Sequence, residues 1–397
     1  MLVPEDRYLL TISGRDSLGL AAEVFAAAAA VATEITDIGQ ITIRGHLVLC
    51  IEVQLRPGAT VEQLAEAVEA SGVEAARAVT VEISSSTERA EPEGRRLLVT
   101  LVSRVIEPGS LGAVFSTIAA CGGDVERIVR LGDRPVQAYE LLVRGTQHEE
   151  LRASLGRLAV AESIDIAVQR AGLHRRAKRL IVMDADSTLL KGEVIDRLAG
   201  RLGIEDRVAA ITEAAMAGEL DFAEALRERV ALLAGLPLAD IEGVADELEL
   251  MPGARTLLRT LQRLGYLTAV VSGGFTQVIA PLLAELGIDH LAANELEVVD
   301  GVATGGLVGP IIDRQAKAEA LARFADEEGV PVGQVVAVGD GANDIDMLQV
   351  AGLGIAFNAR PIVREAADTA LSVPYLDAVL FMLGISREEI DAADRDG

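Results

Sequence analysis

Cysteine and histidine are scarce in this chain. Only Cys50 and Cys121 occur among 397 residues. A disulfide framework is thereby excluded, and neither cysteine has the spacing of a metal site, so both read as small buried apolar residues. The four histidines, His46, His148, His174 and His290, are scattered without metal spacing. An excess of basic charge is also missing. With 36 Lys and Arg against 61 Asp and Glu, the formal charge is -25. Nucleic acid and anionic membrane are therefore not expected partners, because both call for basic surfaces. No run approaches the ~18–20 apolar residues of a membrane span. The acidic stretch Met1 to Asp6 is followed by no long apolar segment, so no secretory signal is expected and the cytoplasm is the expected compartment.

Length and apolar content are what the chain does have. It is too long for one ordinary domain, and an apolar fraction of 50% is ample for two or three cores. A polar linker from Ser84 to Arg96 separates two similar segments, and a basic cluster from Arg175 to Arg179 reads as a second, solvated linker. The spans 1–84, 97–170 and 178–397 are the expected domains. A shift of ninety residues aligns Ser13, Gly19, Val24, Phe25 and Ile38 with Ser103, Gly109, Val114, Phe115 and Ile128. Each copy has the pattern of a ferredoxin-like βαββαβ unit. The first runs Tyr8–Ser13, a helix about Gly19–Val31, Ile41–Glu52, Val61–Ser71 and Arg77–Ile83. The second runs Leu97–Ser103, Leu111–Cys121, Gln137–Arg144, His148–Ala159 and Ser163–Gln169. The pair resembles ACT domains, small modules that often sense amino acids. The first copy has a turn, Gly14-Arg15-Asp16-Ser17-Leu18-Gly19, similar to the ligand loop of that family. The resemblance makes Asp16 and Gly19 candidate effector residues; the second copy has Ile106 in place of Asp16.

Behind the repeats, three apolar runs read as buried parallel strands, each ending in polar residues. Leu180–Met183 ends at Asp184-Ala185-Asp186-Ser187-Thr188, Leu267–Val271 at Ser272-Gly273-Gly274, and Val335–Val338 at Gly339-Asp340-Gly341-Ala342-Asn343-Asp344. Lys317 opens a helical stretch from Ala316 to Phe324. Ligands of open α/β sheets bind at such strand ends. This set suits a phosphate held against a divalent cation. Asp184 and Asp340 offer hard oxygen ligands to Mg2+, while Ser272, the Gly273 N–H and Lys317 can hold phosphoryl oxygens. Without a cation the carboxylates would repel the phosphate.

These motifs, in this order, resemble the haloacid-dehalogenase superfamily and, within it, the phosphoserine phosphatase group, over roughly residues 178 to 385. The expected fold is therefore α/β, a Rossmann-like core with a helical cap, behind two ferredoxin-like domains. Helical patterns at Glu205–Met216, Phe222–Leu233 and Leu238–Leu248 resemble that group's small cap, about residues 194–250. Leu296–Val308 reads as a hairpin about Asp300-Gly301. The resemblance implies hydrolysis of O-phospho-L-serine, the final step of L-serine biosynthesis. It makes Asp184 the nucleophile and Asp186 the acid and base. It places Mg2+ on Asp184, Asp340 and the carbonyl of Asp186, and the phosphoryl group on Ser272, Gly273, Lys317 and Asn343. Asp344 is expected behind Lys317. Glu193, Met216, Phe222 and Arg229 match the substrate-recognition positions, with Arg229 on the carboxylate and Glu193 on the ammonium. An L-serine effector and a homodimer through the repeats are further expectations. A phosphotransferase, or a phosphatase of another small phosphomonoester, remains open. So does an amino-acid-sensing regulatory protein, although intact Asp184, Asp186, Lys317 and Asp340 argue against it.

Overall fold

A computed structural model describes residues 7–86, 96–172, 175, 177–216 and 221–396. The chain divides into two compact units, Met1–Glu91 and Pro92–Gly397. In the first, strands β1 (Arg7–Arg15), β2 (Ala32–Ile43), β3 (His46–Leu55) and β4 (Val79–Ser85) form an antiparallel sheet in the order β2-β3-β1-β4. Along β3, Leu47, Leu49, Ile51, Val53 and Leu55 are buried and their neighbours are not, the period of a strand covered on one face. Helices Leu20–Ala28 and Val61–Ser71 cover that face with Leu20, Val24, Leu64 and Val68. Thr60 and Gln63 form a reciprocal cap at the start of the second helix. The span Ile41–Glu52, given above without a break, holds the end of β2, a hairpin turn and most of β3. Arg44 and Gly45 take φ of 49° and 79°, folding β3 back on β2. As an edge strand with no fully buried residue, β2 leaves no period-two apolar signal.

The second unit begins with the same topology. Strands β5 (Leu97–Ser103), β6 (Asp124–Gly132), β7 (Gln137–Arg144) and β8 (Asp165–Arg170) pair in the order β6-β7-β5-β8. Strand β6, contained in the expected βαββαβ pattern but given no bounds there, is again the exposed edge. The ninety-residue shift fits the helices, where Val24 and Val114 are both buried, but is one residue out in the first strand. There the core is lined by Leu10 and Ile12 in one copy and by Val99 and Leu101 in the other. In a strand that slip exchanges the two faces.

The catalytic sheet has seven strands: β9 (Leu180–Met183), β10 (Leu267–Phe275), β11 (His290–Val299), β12 (Val302–Val308), β13 (Val335–Gly339), β14 (Leu353–Phe357) and β15 (Thr369–Leu371). Their order is β12-β11-β10-β9-β13-β14-β15. All neighbours are parallel except β11 and β12, a hairpin that turns at Asp300 and Gly301. Every residue of β9 and β13 is buried, as in a sheet covered on both faces. The chain leaves β9 first toward β10 and later returns on its other side as β13. The strand order therefore reverses at β9, and the crevice opens at the carboxyl ends of these three strands.

Between β9 and β10 the cap forms helices Val194–Leu202, Glu205–Met216, Phe222–Ala231 and Leu238–Gly243. Leu198, Val208, Leu226, Val230 and Ile241 bury its apolar stripes. Asp221 and Glu224 cap the third helix reciprocally. Backbone bonds between Gly235 and Ala303, and between Ala303 and Leu236, tie the cap to the β11–β12 hairpin.

The second repeat packs directly on the catalytic part. Val102, Leu131, Val136, Ala138 and Ala167 share one core with Leu380, Phe381 and Met382. A Cβ at Gly132 would lie 2.8 Å from the Phe381 ring, so only glycine lets that ring approach. The Ser372 N–H donates to buried Asp165 (2.6 Å), and Gln169 donates to the Met382 carbonyl (2.9 Å). The expectation of a solvated linker over Arg175–Arg179 is corrected here. Arg175 pairs with Glu140 at 2.6 Å with 9% of its side chain exposed, and Lys178 is buried, donating to the Gly333 carbonyl (2.8 Å). Basic residues at this seam satisfy buried acceptors instead of facing water.

Candidate active site

Asp184 follows β9 directly, and its N–H stays in the sheet by donating to the Val338 carbonyl. The next residues leave extended geometry, with Ser187 in the left-handed region at φ 57°. That kink returns Asp186 to the same crevice, where Asp184 and Asp186 are both buried. Asp186 accepts the N–H of Val194 (2.8 Å), the first residue of the leading cap helix, so a helix N-terminus faces its charge. From β10, Ser272 Oγ lies 3.5 Å from the Asp186 carboxylate and accepts the Gly274 N–H at 2.8 Å.

Lys317 enters from helix Arg314–Glu327, capped by Asp313. Fully buried, its ammonium lies 2.8 Å from Asp184 and 2.7 Å from Asp344. The second Asp344 oxygen accepts the N–H groups of Asp340 (3.1 Å) and Gly341 (2.9 Å). Asp344 thus folds the Gly-Asp-Gly loop around itself. A Cβ at Gly339 would sit 2.5 Å from its carboxyl carbon, which explains that glycine. Thr188, not singled out in the sequence, is fully buried and donates to Asp340 at 3.0 Å. Its only sequence signal was its place at the end of the Asp-x-Asp-Ser-Thr run, where a β-branched residue before two leucines looks like core.

The electrostatics follow from burial. Burial and the nearby Glu193 push Asp186 up to about 7, against the stabilising Val194 N–H. Burial and Asp344 raise Asp340 to about 6. Asp184 is raised by burial and Asp344, while Lys317 opposes the rise. For Lys317 burial alone would favour the neutral amine, but the two carboxylates reverse this and hold it charged. Carboxylate oxygens of Asp184, Asp340 and Asp344 lie within 4.8 Å of one another, the one such cluster among the described residues. Three carboxylates around a single ammonium leave negative charge uncompensated. Hard oxygen donors in that state fit a divalent cation.

The cap brings further expected residues to the same crevice. Glu193 lies 3.5 Å from Ser187 Oγ, and burial and Asp196 raise its carboxyl. Arg229 is half-buried, donating to the Ala225 carbonyl (3.3 Å) and near Thr212 (3.5 Å). Burial lowers its guanidinium, offset by the charges of Glu193, Asp196 and Asp186. The Phe222 ring lies 3.5 Å from where a Gly273 Cβ would stand. Asn343 stands in the turn of the Gly-Asp-Gly loop. Met216 ends helix Glu205–Met216, and its side chain lies outside the described residues. Asp16 and Gly19 belong to the other unit. There the Asp16 N–H donates to the Gly45 carbonyl (2.9 Å), and Gly19, at φ 88°, precedes helix Leu20–Ala28.

Known proteins share this organisation. Residues 181–349 match the haloacid dehalogenase-like hydrolase family, and residues 6–82 and 97–169 match ACT domains. A phosphoserine phosphatase of Streptomyces coelicolor is 50% identical over 394 residues, 97% of this chain and 94% of the relative. One of Mycobacterium tuberculosis is 49% identical over 393 residues, 97% and 95% of the two chains. Among solved structures, a probable phosphoserine phosphatase from Vibrio cholerae superposes with a TM-score of 0.57 at 29% identity, covering 78% of this chain and 91% of that one. The chain belongs to the phosphoserine phosphatase family of the haloacid dehalogenase-like hydrolases, with two ACT domains ahead of its catalytic sheet.

Proposed function

We propose that the chain hydrolyses O-phospho-L-serine to L-serine and inorganic phosphate through a phosphorylated Asp184. The observation that carries this reading is the grouping of Asp184, Asp186, Ser272 and Lys317 in one buried crevice beneath a cap bearing Glu193 and Arg229. Asp184 attacks phosphorus, and the bond from phosphorus to the serine oxygen breaks. Asp186, raised to about 7, holds a proton near neutrality and delivers it to that oxygen. Afterwards Asp186 takes a proton from the water that attacks phosphorus, the bond from phosphorus to the Asp184 oxygen breaks, and Asp184 leaves as carboxylate. Ser272, the Gly273 N–H and Lys317 hold the phosphoryl oxygens, with Asn343 assisting. Arg229 forks onto the substrate carboxylate, Glu193 meets the ammonium, and Phe222 lines the cavity, with Met216 assigned to substrate recognition by the resemblance alone. Mg2+ would be held by Asp184, Asp340 and the carbonyl of Asp186, and when bound it supplies positive charge for the phosphoryl oxygens.

The domains are taken as 1–84, 97–170 and 178–397 with the cap about 194–250, and the compartment as the cytoplasm. The first repeat is read as the site of an L-serine effector near Asp16 and Gly19, in a homodimer built through the repeats. Turnover of phosphoserine, phosphothreonine and an aryl phosphate tests the substrate. Strong preference for phosphoserine is expected, and equal rates on all three would contradict it. Titration calorimetry of L-serine against residues 1–91 tests the effector, and absence of heat would remove it.

A further inference from the structure

Asn294 lies on β11, only 2% exposed, one strand away from the reacting groups. Both ends of its carboxamide are used. Its Nδ2 donates to the Gly273 carbonyl at 2.9 Å, and its Oδ1 accepts the Ile312 N–H at 2.8 Å. The first bond falls where the β10–β11 ladder is interrupted, between Ser272 and Phe275, so the side chain replaces a missing ladder bond. The carbonyl of Gly273 shares a peptide plane with the N–H of Gly274, and that N–H donates to Ser272 Oγ at 2.8 Å. Fixing the carbonyl therefore fixes the donor that turns the serine hydroxyl, whose own proton points to the Asp186 carboxylate at 3.5 Å, into the crevice assigned to the phosphoryl group. At its other end Asn294 holds Ile312, the residue before Asp313, which caps the helix carrying Lys317.

We propose that Asn294 is a positioning residue that locks the Gly273–Gly274 peptide and the lead into the Lys317 helix, and so orients Ser272 and Lys317 toward one phosphoryl group. This rests on the roles given to Ser272 and Lys317 above. A carboxylate in place of the carboxamide keeps the shape and the acceptor for Ile312. It loses the donor to Gly273 and sets one oxygen against another, which favours rotation of that peptide.

The test compares Asn294→Asp with the wild type on both phosphoserine and an aryl phosphate, with Mg2+ present. Removing a direct oxyanion donor costs ~10²–10³ in kcat. For this indirect contact we expect a kcat loss of about 10- to 100-fold on both substrates, again scaled from that donor loss. KM should move little and inhibition by L-serine should not change, because Glu193 and Arg229 are untouched. Activity relative to wild type should recover as pH falls and the introduced carboxyl gains a proton, becoming a donor again. In a Ser272→Ala background the same substitution should cost distinctly less. A folded variant within twofold of wild-type kcat, or equal losses with and without Ser272, would overturn the proposal. If Asn294→Asp does not fold, Asn294→Ser is read by the same kcat and double-mutant criteria. Wild-type protein that spares phosphoserine but cleaves the aryl phosphate would fault the substrate reading alone, leaving Asn294 to be judged on the aryl substrate.

Discussion

The two N-terminal repeats share one topology but bury their sheets differently. In the first, β1 alternates, with Leu10 and Ile12 buried toward the helices and their neighbours only partly covered. In the second, β5 is buried from Leu97 to Val102 without a break. Leu97, Val99 and Leu101 face the repeat's own helices, and Val102 joins the core that holds Phe381 and Met382. Both edge strands are open along most of their length, with Ile41 and Ile43 of β2 50% and 64% exposed and Ile128 of β6 45% exposed, and they differ at the end of β6, where Leu131 is buried. One fold thus supplies a separate module in the first copy and a structural wall of the enzyme in the second. Strand burial on both faces, not family membership, distinguishes the two.

The comparison is most severely tested by truncation. A chain starting at residue 92 should fold and retain turnover. A chain starting at 178 uncovers Leu380, Phe381 and Met382, each worth about 1.5–3 kcal/mol of burial. That loss is comparable to a net stability of ~5–15 kcal/mol, so this chain should aggregate or melt far lower. A soluble, fully active chain from 178 would break the distinction. A substitution on each side sharpens it. Phe381→Ala should cost about 3–5 kcal/mol in denaturant unfolding. Ile41→Ser, on the open edge of the first repeat, should stay within about 0.5 kcal/mol. Similar losses at both positions would show the first repeat to be as embedded as the second.

Within the second unit, Arg229→Ala separates reading of substrate from chemistry. It should lose roughly 2–5 kcal/mol of transition-state stabilisation on phosphoserine and far less on an aryl phosphate without a carboxylate. Equal loss on both would make Arg229 a cap-holding residue. The smallest effect concerns pH. Asp186 and Asp340 have folded values of about 7 and about 6, above the ordinary 3.8. The folded state therefore keeps protons that the unfolded chain has released. Their contribution is complete below the ordinary value and is lost as pH rises through 6 to 7. Mg2+ among these carboxylates should offset that loss, so its thermal shift should be larger at pH 8 than at pH 5. The same shift at both pH values would place the cation elsewhere.

Much of the site was legible because its residues end apolar runs. Asp184 and Asp340 each follow a strand that is buried on both faces, and Ser272 lies within β10 at the end of its buried apolar run; such runs announce themselves. The exposed edges of the two repeats do not, which is why β2 and β6 of the expected βαββαβ units had no bounds of their own. The repeat offset failed by one residue in the strand because matching serines carry no information about which face is buried. Thr188 and Asn294 were missed for another reason. Thr188 acts through one hydrogen-bond partner far along the chain, Asp340, and Asn294 through two, Gly273 and Ile312. No spacing in the sequence records such a contact. The seam at Arg175 and Lys178 was misread because basic residues look solvated until their buried acceptors, Glu140 and the Gly333 carbonyl, are in place.

The central claim is that Asp184 carries the phosphoryl group, and trapping it is the direct measurement. Protein with Mg2+ is mixed with phosphoserine labelled in its phosphate, quenched in acid within the first turnover, digested and mapped by mass spectrometry. The account predicts label on the peptide containing Asp184, in the full chain and in residues 92–397 alike, and none in Asp184→Asn. Rapid hydrolysis with no label on Asp184, or with label that persists in Asp184→Asn, would contradict it.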